Sequence, residues 1–274
     1  MDLLRPLGRT GLRVSAIGLG TVKLGRTQGV AYPAPFQLPS DQEAGTLLRT
    51  ACELGVTLLD TAPAYGSSEE RLGELMRRHA WFGGRNRWIV STKAGEEFEH
   101  GVSRFDFSPD AIRASAERSC RRLGVETLDI LMLHSSGEDV RILRESGAVE
   151  ELAALKRRGV IRAAGISSKT TDGGLLALEL GLDVLMVVLN ARDESQLPVI
   201  AEAGRRGAGV LIKKGLASGH AAVGSPIAGA DPAREALRFV FERGGNAVSG
   251  VVTGTINPAH LRANVAAAAA VLRA

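Results

Sequence analysis

Gly55-Val-Thr-Leu-Leu-Asp60-Thr-Ala-Pro-Ala-Tyr65-Gly66 begins as an apolar run and breaks into a turn at a carboxylate. Val56, Leu58 and Leu59 with β-branched Thr57 favour an extended strand. Pro63 and Gly66 punctuate the residues after Asp60 as a turn. A strand that ends on Asp60 and turns at once sets that carboxylate and the Tyr65 phenol at one end of a sheet. An unperturbed phenol has a pKa of about 10. A tyrosine that gives up a proton at neutral pH therefore needs a cation beside it, which the rest of the chain has to supply.

Outward from this stretch, short apolar runs alternate with amphipathic patterns. Strands are predicted over 15–19, 57–59, 88–91, 130–133, 163–166, 184–188, 209–212 and 247–252. Helices are predicted over 41–54, 68–79, 109–123, 148–158, 174–180, 193–206, 232–243 and 258–272. Ser40-Asp41, Ser108-Pro109 and Asn257-Pro258 are helix starts. Gly55, Gly124, Gly159, Gly181 and Gly207 stand where helices end in a left-handed cap. This repeated strand–helix order predicts an α/β fold, a (β/α)8 TIM barrel, in one domain over 1–274. Leu7-Gly-Arg-Thr-Gly11 predicts an N-terminal β-hairpin covering the barrel bottom. The loops over 24–39 and 94–108 fall at the opposite mouth, where long loops carry function. The rival is an open doubly wound sheet, suggested by Gly18-Leu-Gly20. Lys23 stands where that fingerprint needs its third glycine, and a proline-rich loop comes next instead of a helix.

In a barrel the functional groups gather at the C-terminal ends of the strands. Asp60, Lys93, His134, Ser167-Ser168, Asn190, Lys213-Lys214 and 253–255 all fall there, each after a largely apolar run. Lys93 is the cation that Tyr65 requires. A charge about 4 Å away at an effective dielectric near 20 contributes about 4 kcal/mol, or roughly three pKa units. Desolvation opposes part of this. Asp60 would hold Lys93 charged, and His134 would orient a carbonyl oxygen. These residues supply a proton and no hydride, so a nicotinamide cofactor is implied. Separately, each has a structural alternative: a rim ion pair for Asp60 and Lys93, a hydrogen-bonded core residue for His134, a packing residue for Tyr65. Their convergence on successive strand ends favours chemistry.

Composition narrows the rest. The 274 residues are 45% hydrophobic and 23% charged, as expected of a globular protein with a full core. A net charge of +4 is mild, and the arginines lie on helix-like segments without interleaved aromatics. That argues against nucleic-acid binding. Cys52 and Cys120 sit inside helical patterns, which predicts reduced thiols. His79, His100, His220 and His260 lack metal-ligand spacing, so no metal is expected. The sequence has neither a signal-like apolar segment at its start nor a run long enough to span a membrane, and a cytoplasmic location is expected.

The motifs together resemble the aldo-keto reductase superfamily from end to end: Leu7-Gly-Arg-Thr-Gly-Leu12, Ile17-Gly-Leu-Gly-Thr21, Leu59-Asp-Thr-Ala-Pro-Ala-Tyr-Gly66, Ser91-Thr-Lys93, Leu123-Gly-Val-Glu-Thr-Leu-Asp-Ile-Leu-Met-Leu-His134, Gly159-Val-Ile-Arg-Ala-Ala-Gly-Ile-Ser167 and Gly254-Thr-Ile-Asn-Pro-Ala-His-Leu-Arg-Ala-Asn264. The resemblance implies carbonyl reduction with NADPH, or NADH, bound across the C-terminal mouth. It implies a tetrad of Asp60, Tyr65, Lys93 and His134, with Tyr65 as proton donor. For the cofactor it implies Gly20, Thr21, Ser167, Ser168, Asn190, Lys213, Leu216, Ser218, Gly254, Thr255, His260 and Asn264. Along this cofactor path the chain departs from the family pattern. Met186 replaces a glutamine that shares the nicotinamide carboxamide, and Lys213 replaces a tyrosine that stacks on the nicotinamide. Gly254, Thr255 and His260 replace the Lys, Ser and Arg around the 2′-phosphate. Lys213 is expected to cover the ring with its methylenes and reach the pyrophosphate with its ammonium.

The expected partner is a small carbonyl substrate. The pocket is expected from Tyr32, Phe36, Trp81 or its neighbours, Phe98, Phe105 and Phe107, and the short segment after the last helix predicts an open site. Three alternatives stay open: an alcohol or aldose dehydrogenase running the reverse reaction, a Schiff-base enzyme using Lys93, and a cofactor-sensing regulatory subunit with little turnover.

Overall fold

The computed structural model describes residues 3–30, 32, 34–78, 87–217 and 231–273. The chain opens with β1 (Leu4–Pro6) and β2 (Arg13–Ser15), an antiparallel hairpin. Next come β3 (Ile17–Gly20), helix α1 (Asp41–Glu53), β4 (Leu58–Asp60), α2 (Ser68–Arg78) and β5 (Ile89–Ala94). A second hairpin, β6 (Glu96–Glu99) with β7 (Val102–Phe105), leads into α3 (Pro109–Leu123). The remainder is β8 (Leu128–His134), α4 (Asp139–Glu145), α5 (Ala148–Arg157), β9 (Ile161–Ser167), α6 (Thr171–Glu179), β10 (Val184–Val188), α7 (Leu197–Arg206), β11 (Gly209–Lys213), α8 (Pro232–Gly244), β12 (Val248–Thr253) and α9 (Pro258–Val271). Strands β3, β4, β5, β8, β9, β10, β11 and β12 close in that order into a parallel barrel, the (β/α)8 architecture expected from the sequence.

The expected helix starts carry their caps. Ser40 accepts from Glu43 N–H in a reciprocal capping box. Ser108 accepts from Ala111 N–H with Pro109 behind it, and Asn257 accepts from Ala259 N–H. Two elements escape sequence reading. Helix α4 is short and has no side-chain cap. The β6–β7 hairpin is largely exposed, so it lacks the apolar alternation that marks a half-buried strand. The first barrel strand starts at Ile17 rather than 15, because Ser15 pairs with Leu4 in the N-terminal hairpin.

Alternation along the strands sorts the barrel's two faces. Leu58, Ile130, Met132, Ala163, Val184, Met186 and Leu211 form one buried cluster inside the barrel, completed by Leu7, Leu12 and Val14 from the hairpin. Their strand neighbours Leu59, Leu131, Leu185 and Ile212 belong to the larger cluster beneath the helices. Continuing the inward face by two residues gives Asp60 after Leu58, His134 after Met132 and Lys213 after Leu211. The hairpin closes the other end. Arg9 N–H donates to Gly207 O at 2.8 Å, and a Cβ on Gly8 (φ +53) would lie 2.4 Å from Gly209 N. Only glycine permits that approach.

Leu7 is fully buried in the plug. Leu7→Ala is expected to cost about 2–5 kcal/mol in urea denaturation, while the arrangement of side chains at the far mouth is undisturbed.

Candidate active site

Lys93 stands at the centre of the C-terminal mouth. Its Nζ donates to Asp60 Oδ1 at 2.8 Å, to Asp60 Oδ2 at 2.9 Å and to the Thr61 carbonyl at 2.8 Å. Ser91 Oγ donates to Asp60 Oδ1 at 3.0 Å. All three ammonium protons thus have acceptors, which a lysine only 1% exposed requires. Burial pushes the Lys93 pKa down, but Asp60 and Tyr65 together outweigh it and hold the pKa above the ordinary lysine value.

Tyr65 ends a 3-10 turn, Pro63–Tyr65, that continues β4. The turn is seated by backbone contact: a Cβ on Gly66 (φ +62) would lie 2.2 Å from Gly25 O. Lys93 Nζ is 4.9 Å from the Tyr65 ring centroid. The phenol nevertheless has a raised pKa. Burial raises it, Lys93 lowers it, and Asp60 and Glu96 raise it again. This corrects the sequence expectation of a phenol drawn towards neutrality. The cation is present, but its carboxylate partner and the loss of solvent outweigh it.

The His134 and Tyr65 rings meet edge to face, centroids 6.0 Å apart. His134 Nδ1 approaches Glu96 Oε2 to 2.7 Å, off the best hydrogen-bond line. Burial lowers the His134 pKa, Glu96 opposes it, and Lys93 lowers it further. Burial would raise the Glu96 pKa, but His134, Ser103 and Arg26 hold it down at about 2.

A second cluster lies across the mouth. Lys213 Nζ donates to Ser167 Oγ at 2.9 Å and to Ser168 O at 2.6 Å. Its ammonium is ringed by protein: burial and Lys214 push its pKa down to about 7. Gln196 Nε2 donates to Ser168 Oγ and to Thr170 O, both at 3.1 Å. Asp139 Oδ2 accepts from Lys169 N–H at 2.8 Å and Thr170 N–H at 2.7 Å. Both serine hydroxyls therefore accept from nitrogen donors, which leaves their own protons to give. That donor set fits a carboxamide oxygen. Met186 is part of the barrel filling and takes no share in it.

Gly20 ends β3 and Thr21 follows it, with Thr21 Oγ1 donating to Asp60 O at 3.0 Å. Asn190 Nδ2 donates to Lys214 O at 3.1 Å, which ties two loops together. Leu216 is half-buried against the core. Gly254 and His260 are exposed, whereas Thr255 and Asn264 are buried. Ser218 and Trp81 lie outside the described residues. Of the expected pocket aromatics, Tyr32 and Phe36 flank Lys23, whose Nζ is 3.8 and 4.7 Å from their centroids. The Arg26 guanidinium lies 3.3 Å from the centroid of Phe98. Phe105 and Phe107 stack at 6.2 Å. Sequence reading missed Glu96, Asp139 and Gln196. Glu96 is only three residues beyond Lys93, but a hairpin had to be recognised to aim it. Among the described residues no His, Cys, Asp and Glu cluster could hold a metal, and no helix is long and apolar enough to cross a membrane.

Residues 16–190 match the model of the Aldo/keto reductase family. The chain is 32% identical over 200 residues to a Pseudomonas D-threo-aldose 1-dehydrogenase, covering 65% of this chain and 57% of that protein. It is 32% identical over 226 residues to Arabidopsis thaliana L-galactose dehydrogenase, covering 79% and 66%. The matched stretch is thus less than two thirds of either relative's length. A solved Pseudomonas aeruginosa structure assigned to the aldo-keto reductases superposes with TM-score 0.86 at 45% identity, covering 99% of this chain and 96% of that one.

Asp60→Asn leaves Lys93 buried beside a neutral partner and is expected to cost about 3–5 kcal/mol in urea denaturation. Replacing both, as Asp60→Leu with Lys93→Met, should recover much of that stability, because no charge is then left unpaired.

Proposed function

The chain belongs to the aldo/keto reductase family, and from that membership we propose that it reduces an aldehyde or ketone to the alcohol, in a single barrel domain over residues 1–274, with Tyr65 as proton donor. The observation that carries this reading is the Lys93 ammonium held between the Asp60 carboxylate and the Tyr65 ring. Burial keeps the proton on Tyr65 at rest. The phenol can then give that proton to a carbonyl oxygen as negative charge builds there. Lys93 stabilises the phenolate left behind, and Asp60 keeps Lys93 charged and in place. His134, at the end of β8, meets the Tyr65 ring edge to face and would contact the same oxygen.

A bound nicotinamide dinucleotide supplies the hydride that no side chain can. Ser167 and Ser168 would hold its carboxamide, with Lys213 and Gln196 fixing the two hydroxyls. NADPH is the proposed cofactor, with NADH accepted. Gly254, Thr255 and His260 bring neither Lys nor Arg to the positions where the family grips the 2′-phosphate, and Thr255 Oγ1 already receives Asn257 N–H at 3.0 Å. One missing charged contact of about 1.4 kcal/mol corresponds to tenfold in affinity. The two relatives named for oxidation of sugars favour a second reading, in which the same residues oxidise an alcohol or aldose.

Tyr65→Phe is expected to lower turnover about 10²–10⁴-fold on any carbonyl that the wild type reduces. Fluorescence titration should give wild-type affinity of this variant for both cofactors, with NADPH and NADH within about tenfold of each other. Turnover comparable to wild type would remove Tyr65 from the reaction.

A further inference from the structure

Glu96 has no part in the proposed proton transfer, yet it makes the nearest charged contact to His134. It belongs to β6, whose strand leaves the barrel just after Lys93. Its Oε2 is 2.7 Å from His134 Nδ1. Ser103 Oγ, on the paired strand β7, donates to Oε1 at 2.6 Å and fixes the carboxylate. Two atoms that both carry lone pairs would repel at such a distance, so the proton resides on Nδ1. A neutral imidazole then has a bare Nε2, since the partner of one ring nitrogen sets the state of the other. Nδ1 is buried while the side chain keeps 18% of its surface exposed. The open edge is therefore the one that carries Nε2.

We propose that Glu96 is a positioning residue that fixes His134 as its Nδ1–H tautomer, so that Nε2 accepts a hydrogen bond from a substrate hydroxyl when the ring is neutral and donates to a carbonyl oxygen only as the imidazolium. The substrate half of this inference rests on the proposed carbonyl chemistry; the tautomer half does not. The charged and titratable groups facing the ring are Glu96 from β6, Lys93 from β5, Lys213 from β11 and Tyr65 from the turn after β4. Burial, Lys93 and Lys213 together exceed the pull of Glu96, so the ring titrates below the ordinary histidine value of 6.5. The site thus favours the alcohol at neutral pH and the carbonyl as pH falls below that point.

Nitrogen-15 NMR of the ligand-free, histidine-labelled protein tests this, with His134→Gln assigning the ring. The expected spectrum at alkaline pH has a protonated, pyrrole-type Nδ1 and a bare, pyridine-type Nε2. Glu96→Gln should lower the ring's titration point by about one unit and raise the share of the Nε2–H tautomer. In kinetics it should raise the ratio of carbonyl reduction to alcohol oxidation at alkaline pH. An Nε2–H tautomer in the wild type, or a titration point unmoved in a Glu96→Gln protein of wild-type circular dichroism, would overturn the proposal. Absence of turnover on every carbonyl and alcohol would instead remove the proposed reaction and leave the NMR result to stand or fall alone.

Discussion

A lysine ammonium held out of water at the mouth of a barrel is the constraint on which the site depends. Lys93 is 1% exposed and Asp60 3%. An unpaired charge at that depth costs several kcal/mol, and the pair is tolerable only because every ammonium proton has an acceptor. Meeting that condition fixes much else. Asp60 must end β4, the Thr61 carbonyl must turn inward, and the chain must leave the strand at once. Tyr65 comes next to Lys93 as a consequence of that turn, and Gly25 against Gly66 locks it there. The functional constellation and the local stability of the mouth are thus one set of contacts.

Opposite this pair, the segment from Ser167 to Thr170 is held from three directions. Lys213 reaches it from β11, Gln196 from the start of α7 and Asp139 from the start of α4. Each partner comes from a different element, so the two serine hydroxyls are oriented before any ligand arrives. Such preorganisation lowers the cost of binding a polar group there. Lys213 belongs to this clamp. It ties the end of β11 to the end of β9.

The barrel, and the gathering of Asp60, Tyr65, Lys93 and His134 at its mouth, were legible because both rest on local patterns. Apolar runs ending in polar residues mark the strands, and alternation by two puts those last residues inside. Glu96, Asp139 and Gln196 were not legible, because each acts across the fold from an element with weak signals. Glu96 lies on an exposed hairpin, Asp139 in an uncapped short helix, and Gln196 at a helix start without a side-chain cap. The Tyr65 pKa went the other way from the sequence expectation for a related reason. A pairwise distance can be read from motif order, whereas the balance between burial and several charges requires the assembled mouth.

Hydride transfer at this mouth is tested most directly with an isotope. The protein is incubated with a panel of aldehydes, ketones and aldoses and with NADPH carrying deuterium at the transferring position of the nicotinamide, and the alcohols formed are analysed by mass spectrometry. The expected result is one deuterium on the former carbonyl carbon of at least one member. Bound cofactor with no deuterium in any product would contradict a reductase built on Asp60, Tyr65, Lys93 and His134.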